Sequence, residues 1–235
     1  MPYRHRRQPT PWPPASFLGR VGPSVAGKLL TYGRARQYRR GERLLHEGGL
    51  DNHVVLLLRG LVKVTSTASG SETLLAVRAP GDIVGEGAAM TGLPRAATVT
   101  ACERVEARLV SRETFRQLLR EEPAVAHHLA ALMSERLGFA NRRRADFAAC
   151  SVMVRLARVL VDLAAVCGQA AGGASRMVDV PLSQRELATM IGAGEDSVQR
   201  AARRLKAAGL IETAYGSITV VDPSGLRDIS DDAQR

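Results

Sequence analysis

The strongest constraint on the fold of this chain is a pair of short helices, separated by a glycine, between Ser183 and Lys206. Ser183-Gln184-Arg185-Glu186 has the spacing of a capping box, in which serine accepts the backbone N–H three residues on and glutamate bonds back. Gly192 is placed to end the first helix in the left-handed conformation. The second helix is expected to start near Glu195. Its apolar face comprises Val198, Ala201, Ala202 and Leu205, and its basic residues are Arg200, Arg203, Arg204 and Lys206. This order predicts a helix-turn-helix, whose second helix enters the major groove of DNA.

Two short β runs follow the second helix. Ile211–Thr213 and Ser217–Val221 flank a Tyr215-Gly216 turn, and together they predict a wing hairpin. Met177–Val180 is a candidate third strand. The alternative is a small helix–hairpin domain with a merely basic surface, but cap, turn, basic helix and wing in this order favour DNA binding.

The first half of the chain has the pattern of a β domain. Its β runs are Val54–Leu58, Leu61–Val64, Thr73–Val77, Ala97–Ala101 and Val105–Val110, with glycines between most of them. Short strands at this spacing predict an all-β sandwich or roll. Strands and helices do not alternate here, which argues against a parallel nucleotide-binding sheet.

A long helix is predicted to follow the β domain. Ser111 opens a short helix, and Pro123 begins the longer one. The longer helix carries a narrow apolar seam at Ala126, Ala130, Met133, Leu137, Ala140, Arg144 and Phe147. Such a seam is typical of paired helices and predicts a homodimer, and packing against the chain's own β domain is the alternative. Ser151 is the expected N-cap of a further helix from Val152 to Cys167, with a hinge at 148–151.

Composition agrees with a nucleic-acid partner. The 235 residues carry a formal charge of +10, which suits a polyanion. No run reaches the roughly 18 apolar residues of a membrane helix, so no membrane partner is expected.

The cysteines and the distribution of reactive side chains point away from several classes of protein. Cys102, Cys150 and Cys167 are widely spaced, which argues against a disulfide framework, a zinc site or an iron–sulfur cluster and favours a reducing cytoplasm. No nucleophile–base pair or metal-ligand spacing stands out, so we expect neither an enzyme nor catalytic or metal-binding residues.

A second candidate site lies in the segments Gly81–Ala89 and Pro94–Val99. An anionic phosphate calls for an arginine helped by backbone N–H groups, and a ribose hydroxyl calls for an acceptor such as a buried glutamate. Glu86 and Arg95 are close enough in sequence to bind one cyclic ribose-phosphate from two sides. The alternative is that Glu86 and Arg95 form a structural ion pair inside a β domain that binds nothing.

These motifs resemble a known family. The segments LSQRELATMIG, from Leu182 to Gly192, and SVQRA, from Ser197 to Ala201, look like those of transcription regulators related to the cyclic-AMP receptor protein, the CRP/FNR family. The resemblance covers about residues 30–225. It implies an α+β fold with an N-terminal β-roll of the cyclic-nucleotide-binding jelly-roll kind, a long dimerisation helix and a C-terminal winged helix-turn-helix. It also implies double-stranded DNA, a second copy of the chain and RNA polymerase as partners, in the cytoplasm.

The resemblance assigns roles on the DNA side. It implies that Glu195, Asp196, Gln199 and Arg200 face base edges, that Ser197 and Arg203 contact phosphates, and that Ser183 belongs to the same interface. The best-known members carry an arginine in place of Glu195. A carboxylate prefers a cytosine amino group to the acceptors of guanine, so a different recognition sequence is expected.

The resemblance also assigns roles on the effector side. It implies that Gly85 and Glu86 hold a ribose, Arg95 pairs with the phosphate, Ala96 and Ala97 donate backbone N–H groups, and Asn141 contacts a purine. Relatives that prefer cyclic GMP commonly carry threonine at the Ala96 position, so cyclic AMP is the predicted effector. Cyclic GMP, or no ligand at all, stays open, since some relatives sense haem, an iron–sulfur cluster or a keto acid. Without a ligand, the chain is a ligand-independent regulator or a nucleoid-type DNA-binding protein.

The predicted domain order is therefore as follows. Residues 1–20 form a basic, proline-rich, disordered tail, and residues 21–125 form the ligand-sensing β-roll. Residues 126–150 form the dimerisation helix, and residues 151–235 form the winged helix-turn-helix domain.

Overall fold

A computed structural model of the chain describes residues 12–68, 70–170, 178–214 and 216–231. The first elements in chain order are α1 (Phe17–Tyr32), β1 (Arg34–Tyr38), β2 (Arg43–Leu45), β3 (Val54–Arg59), β4 (Val62–Ala68), β5 (Ser71–Arg78), β6 (Ile83–Val84), α2 (Glu86–Thr91), β7 (Thr98–Ala101) and β8 (Val105–Val110). They are followed by α3 (Arg112–Glu121), α4 (Pro123–Ala149), α5 (Val152–Ala170), β9 (Val178–Val180), α6 (Gln184–Ile191), α7 (Glu195–Ala207), β10 (Ile211–Ala214), β11 (Ser217–Val220) and α8 (Pro223–Asp231). The predicted α+β fold class is confirmed.

The chain divides into two compact units. The N-terminal unit comprises Met1–Gly60 and Ala79–Ser134, and the C-terminal unit comprises Leu61–Arg78 and Glu135–Arg235. The β4–β5 hairpin thus groups with the C-terminal elements, and α4 runs from one unit into the other. The borders of these units differ from the domain boundaries predicted at residues 125 and 150. Those domain boundaries stay predictions.

The N-terminal unit is built on an antiparallel sheet with the strand order β1-β8-β3-β6, and β2 pairs separately with β7. A core fills the space between this sheet and the helices α1, α3 and the first part of α4. It includes Phe17, Leu29, Leu56, Ile83, Val110, Phe115, Leu118 and Leu129. The five predicted strands are confirmed, whereas β1, β2 and β6 are additional. β1 has only Tyr38 buried, and β6 has two residues, so neither shows a readable hydrophobic period.

The prediction that residues 1–20 form a disordered tail is wrong at its end. Helix α1 begins at Phe17, and the Ser16 hydroxyl caps it by accepting the N–H of Gly19. Phe17 and Leu18 are completely buried. Burying two large apolar side chains outweighs the basic, proline-rich composition of the preceding segment. Residues 1–11 of the predicted tail lie outside the described residues.

Helix α4 has two different apolar stripes. Val125, Leu129 and Leu132 pack into the core of the N-terminal unit. The predicted seam is a separate stripe, on which Leu137 and Phe147 are exposed. The contact of α4 with its own β domain therefore leaves the seam uncovered. The predicted break after this helix is confirmed, because α4 ends at Ala149 and α5 starts at Val152.

The C-terminal unit is built around α5, which packs against α6, α7 and α8. Strands β10 and β11 form the predicted wing hairpin, and β9 pairs with β11 as its third strand. Met177 and Tyr215, which belong to these predictions, lie outside the described residues. Helix α8 is an addition to the predicted fold, and its Leu226 is completely buried in this unit.

Candidate effector site and nucleic-acid interface

Arg95 lies at the centre of the candidate effector site in the N-terminal unit. Its side chain is 2% exposed, and its Nη1 donates to the Gly85 carbonyl at 2.8 Å. Its Nη2 donates to the Asp51 carboxylate and to the His53 carbonyl, each at 2.7 Å, and its Nε donates to Asp51 at 3.2 Å. A guanidinium has five N–H donors, so these bonds leave one Nη1 hydrogen for a ligand.

Gly85 allows the start of α2 to lie close to the Arg95 guanidinium. It sits at the start of α2 with φ of 82°, in the left-handed region that favours glycine. A Cβ at this position would lie 2.5 Å from the Arg95 Nη1 atom. Only a residue without a side chain therefore allows the guanidinium to lie against this turn.

The other predicted effector residues flank this contact. Glu86 is in the first turn of α2 and is 9% exposed, so its carboxylate is one of the few buried charges of the described chain. Ala96 and Ala97 follow Arg95, and no hydrogen bond is formed by their backbone N–H groups within the part of the chain that the structure covers. Free N–H donors beside a buried arginine suit an anionic phosphate, so these residues fit a cyclic nucleotide.

The ion pair that Arg95 forms is not the Glu86–Arg95 pair considered from the sequence. Its carboxylate partner is Asp51, not Glu86. Asp51 lies on a loop that the backbone ties to Arg95, since the Arg95 N–H donates to Gly49 and the Gly48 N–H donates to Arg95. The sequence reasoning missed Asp51, and no local pattern could have shown a contact over 44 positions.

Asp51 and His53 form the electrostatic surroundings of Arg95. Burial acts to raise the pKa of Asp51, but the Arg95 guanidinium holds it below its usual value. Burial and the charge of Arg95 lower the pKa of His53, although Asp51 opposes this. The His53 Nε2 atom is buried and has no hydrogen-bond partner among the described residues. Gly85, Glu86, Arg95, Ala96 and Ala97 together form the candidate effector cradle. A neutral His53 thus offers a further polar atom near this cradle, and the sequence analysis did not identify it.

Asn141, the predicted purine contact, lies on α4 in the C-terminal unit and is exposed. Its contact with an effector stays a prediction.

The start of the candidate DNA interface is the first helix of the helix-turn-helix. The capping box is confirmed, because the Ser183 hydroxyl accepts the N–H of Glu186 at 3.2 Å and Glu186 accepts the N–H of Ser183 at 2.9 Å. Gly192 ends α6 in the left-handed conformation with φ of 61°. The turn therefore has the predicted geometry.

Helix α7 presents the predicted DNA-contacting residues to solvent. The exposed ones are Glu195, Asp196, Gln199, Arg200 and Arg203, and Ser197 is half-buried and accepts a hydrogen bond from Arg200 at 2.9 Å. Glu195 lies 3.7 Å from Arg185 of α6 in an exposed ion pair. The apolar face of α7 is buried as predicted, at Val198, Ala201, Ala202 and Leu205. The roles of the exposed residues stay predictions.

A groove beside α7 adds to this interface. It has a volume of about 580 Å³ and is lined by the start of α5, at Ser151–Met153, and by Arg200, Arg203 and Arg204 of α7. A helix start and several arginines together suit a phosphate group. The sequence reasoning had selected Arg200 and Arg203, but not Arg204 or the start of α5.

Within the C-terminal unit, the β4–β5 hairpin is bonded to α6. Lys63 forms an ion pair with Glu186, and the Leu74 N–H donates to the Thr189 hydroxyl at 3.1 Å. Burial acts to raise the pKa of Glu186, but the bonds from Lys63 and Ser183 hold it below its usual value. Glu186 therefore caps α6 and anchors it to the hairpin.

This ion pair predicts a pH-dependent stability. We expect Lys63→Gln to lower the free energy of unfolding by about 1 kcal/mol at pH 7, the size of a partly exposed pair. Because the folded pKa of Glu186 is depressed, its stabilisation is present above the ordinary pKa of 4.5 and disappears as the pH falls through the folded pKa. Urea unfolding should therefore show a smaller deficit at pH 4. An equal deficit at both pH values, or a similar deficit in the exposed control Lys206→Gln, would contradict the assignment.

In the covered ranges of the chain, no helix is long and apolar enough to cross a membrane. In the same ranges, no group of three or more His, Cys, Asp or Glu side chains is arranged to hold a metal ion.

Comparisons with known proteins match both parts of the chain. The cyclic nucleotide-binding domain family matches residues 35–122, and the Crp-like helix-turn-helix domain family matches residues 154–229. The chain is 28% identical to a CRP-like cAMP-activated global transcriptional regulator of Mycobacterium tuberculosis, over 90% of this chain and 95% of that protein. It is 29% identical to the cyclic AMP receptor protein of Thermus thermophilus, over 89% and 94% of the two chains. FixK2 of Bradyrhizobium japonicum shares the fold, with a TM-score of 0.72, 21% identity, and coverage of 84% and 96%.

A cyclic nucleotide-binding domain joined to a helix-turn-helix defines a DNA-binding transcription regulator. Both family matches and the full-length relatives place the chain in one group, and it belongs to the CRP/FNR family of transcription regulators.

Proposed function

We propose that the chain is a sequence-specific regulator controlled by a cyclic nucleotide, with cyclic AMP as the effector. The buried Arg95 beside the unbonded N–H groups of Ala96 and Ala97 is the observation that carries this proposal. Arg95 and these N–H groups bind the phosphate, and the buried Glu86 accepts a ribose hydroxyl.

The choice of cyclic AMP depends on the position that follows the arginine. Ala96 lacks the hydroxyl that relatives preferring cyclic GMP commonly carry there. The names of the M. tuberculosis and T. thermophilus relatives also specify cyclic AMP for those proteins. Both observations support cyclic AMP over cyclic GMP.

We propose that the working species is a homodimer formed through α4. The seam residues Leu137 and Phe147 are exposed, at 62% and 44%, and a partner helix would bury them. In a two-fold dimer the α7 helices enter successive major grooves, about 34 Å apart on one DNA face.

The effector acts by favouring one arrangement of the dimer over another. Helix α4 begins in the unit that carries Arg95 and ends immediately before α5, the central helix of the DNA-binding unit. A coupling of about 1–3 kcal/mol through α4 changes DNA affinity roughly 5–150-fold.

We further propose that the protein is cytoplasmic, has no catalytic activity and acts on RNA polymerase.

One observation favours a second candidate function. Asp51 already neutralises Arg95, and four of the five guanidinium N–H groups donate within the protein. A ligand-independent regulator or a nucleoid-type DNA-binding protein, with a sensor domain that binds nothing, is compatible with this pairing.

Calorimetry with cyclic AMP, cyclic GMP and cyclic dinucleotides, followed by DNA binding against specific and random competitors, separates these functions. We expect saturable cyclic AMP binding, at least tenfold tighter than that of cyclic GMP, and tighter sequence-selective DNA binding in its presence. Selective DNA binding that no cyclic nucleotide changes would support the ligand-independent regulator, and binding without sequence preference would support the nucleoid type.

The Glu195 position predicts the recognition sequence. Selection of binding sites from random DNA should yield a consensus unlike that of the best-known members, and Glu195→Arg should change the preferred base at one position of each half-site. A good bidentate contact discriminates by about 1–3 kcal/mol, or roughly 5–150-fold. Lys206→Arg, at the other end of α7, should leave the consensus unchanged. Recovery of the archetypal consensus by the wild-type chain would contradict the prediction.

A further inference from the structure

A separate cavity lies inside the C-terminal unit. The second part of α4, α5 and the ends of α6 and α8 line it, it is partly open to solvent, and its volume is about 310 Å³. This volume is at the lower end of the range for small-molecule sites. None of the residues assigned above to the effector cradle or the DNA interface lines the cavity.

Three of its four arginines are used by the protein itself, and one of them, Arg143, donates from Nη2 to the Leu75 carbonyl at 2.7 Å. Arg158 is paired with the Asp146 carboxylate and donates to the Ser230 carbonyl at 2.8 Å. Arg155 donates to the carbonyls of Ile191 and Gly192 at 2.8 and 3.2 Å. These bonds tie α4, α5, α6 and α8 together and build the wall of the cavity.

Two further charged groups line the cavity, and one of them, Arg142, lies over the Phe139 ring. Arg142 and Asp162 line it from α4 and α5, and among the described residues neither forms a hydrogen bond or an ion pair. Both residues are exposed to solvent. A site with an available cation and an available carboxylate suits a ligand that carries both an anionic group and N–H donors.

An aromatic wall stands beside these charges. The guanidinium groups of Arg143 and Arg142 lie 4.9 and 5.9 Å from the centre of the Phe139 ring, which also lines the cavity. Flat rings and guanidinium planes are the surfaces on which nucleobases stack. The non-ionic part of the ligand is therefore expected to be a planar base.

The carboxylate decides which base fits. A carboxylate accepts two parallel N–H bonds, and guanine presents two adjacent donors, N1–H and the N2 amino group, whereas adenine presents a donor beside an acceptor. We propose that this cavity binds a guanine nucleotide, with Asp162 accepting the N–H groups of the base and Arg142 binding its phosphate. This site is independent of the cradle around Arg95.

The charges around Asp162 make this binding depend on pH. Burial raises the pKa of Asp162 to about 6, although Arg142 and Arg143 act to lower it and Asp146 adds to the rise. Arg158 of the same helix and Asp231 of α8 line the same cavity. Since the ionised carboxylate is the double acceptor, guanine nucleotides should bind about tenfold more weakly at pH 5 than at pH 7.5.

Calorimetry on the full chain tests the proposal with GTP and cyclic di-GMP against ATP and cyclic di-AMP. We expect at least one guanine nucleotide to bind saturably, and at least tenfold more tightly than its adenine counterpart. Asp162→Asn should remove this preference, because an amide donates where the base also donates, and Arg142→Ala should weaken binding at least tenfold. The exposed α8 residues provide the matched controls Asp228→Asn and Arg227→Ala, which should bind as the wild type does.

Testing the variants of each site with the ligand of the other site distinguishes the cradle from the cavity. Arg95→Ala should keep guanine nucleotide binding, and Asp162→Asn should keep the cyclic AMP response. No guanine nucleotide binding at millimolar concentration, equal binding to Asp162→Asn, or absence of binding in Arg95→Ala would each overturn the proposal. None of these results bears on cyclic AMP in the cradle.

Discussion

Arg95→Ala is expected to weaken cyclic nucleotide binding about tenfold to a hundredfold and to leave DNA binding without effector in place. The guanidinium is the buried cation of the cradle, and charge-assisted bonds to a phosphate contribute about 1.5–3 kcal/mol each. Because one Nη1 hydrogen is left for the ligand, losing its bond corresponds to about 1.5–3 kcal/mol, or roughly one to two decades in affinity. Calorimetry gives the nucleotide affinity, and electrophoretic mobility shifts give the DNA affinity.

A second substitution covers the case in which the alanine variant folds poorly. Arg95→Ala leaves Asp51 without its partner, whereas Arg95→Lys keeps a charge and removes only the planar fork. We expect the lysine variant to bind the nucleotide at least tenfold more weakly. Arg104→Ala, an exposed arginine of the same unit, is the control and should bind normally. Unchanged nucleotide affinity in a folded Arg95 variant would remove this residue from the site.

Arg203→Glu is expected to weaken binding to all DNA sequences together, by about tenfold to a hundredfold at moderate salt. Arg203 is exposed on α7 and lines the basic groove beside the start of α5. An ionic bond to a DNA phosphate contributes to affinity regardless of sequence, and removing one flattens the dependence of log affinity on log salt by about 0.9. Titrations with specific and random duplexes over a range of salt concentrations measure both effects.

The matched control carries the same change of charge elsewhere. Arg116 is exposed on α3 in the N-terminal unit, so Arg116→Glu alters the net charge without touching α7. It should change DNA affinity only slightly. If Arg203→Glu weakened only the specific duplex, Arg203 would be a base contact and not a phosphate contact.

Local patterns predicted the DNA-binding unit well. The capping box at Ser183 and Glu186, the left-handed Gly192 and the start of α7 at Glu195 all depend on residues within a few positions of each other. Because these hydrogen bonds join residues within one short segment, they can be predicted from the sequence without knowledge of the tertiary structure. The wing hairpin was predictable for the same reason.

Elements whose stability comes from distant partners were harder to predict. Residues 17–20 looked like part of a tail because their neighbours are basic and proline-rich, yet Phe17 fills a core built from β3, β6, β8 and α3. The polar strand β1 is held by its pairing with β8, about 70 residues away. Neither element carries a periodic pattern of its own.

The sequence by itself predicted the order of the modules and the helix-turn-helix, because each of these follows from neighbours in the chain. Its resemblance to the family singled out Gly85, Glu86 and Arg95 of the candidate effector cradle. Only the tertiary structure decided that Asp51 is the partner of Arg95, that Lys63 anchors Glu186, and that Arg142 and Asp162 meet in one cavity. These pairs join residues 20 to more than 100 positions apart, and side-chain charges at such separations are brought together only when burial of the apolar core fixes the path of the backbone.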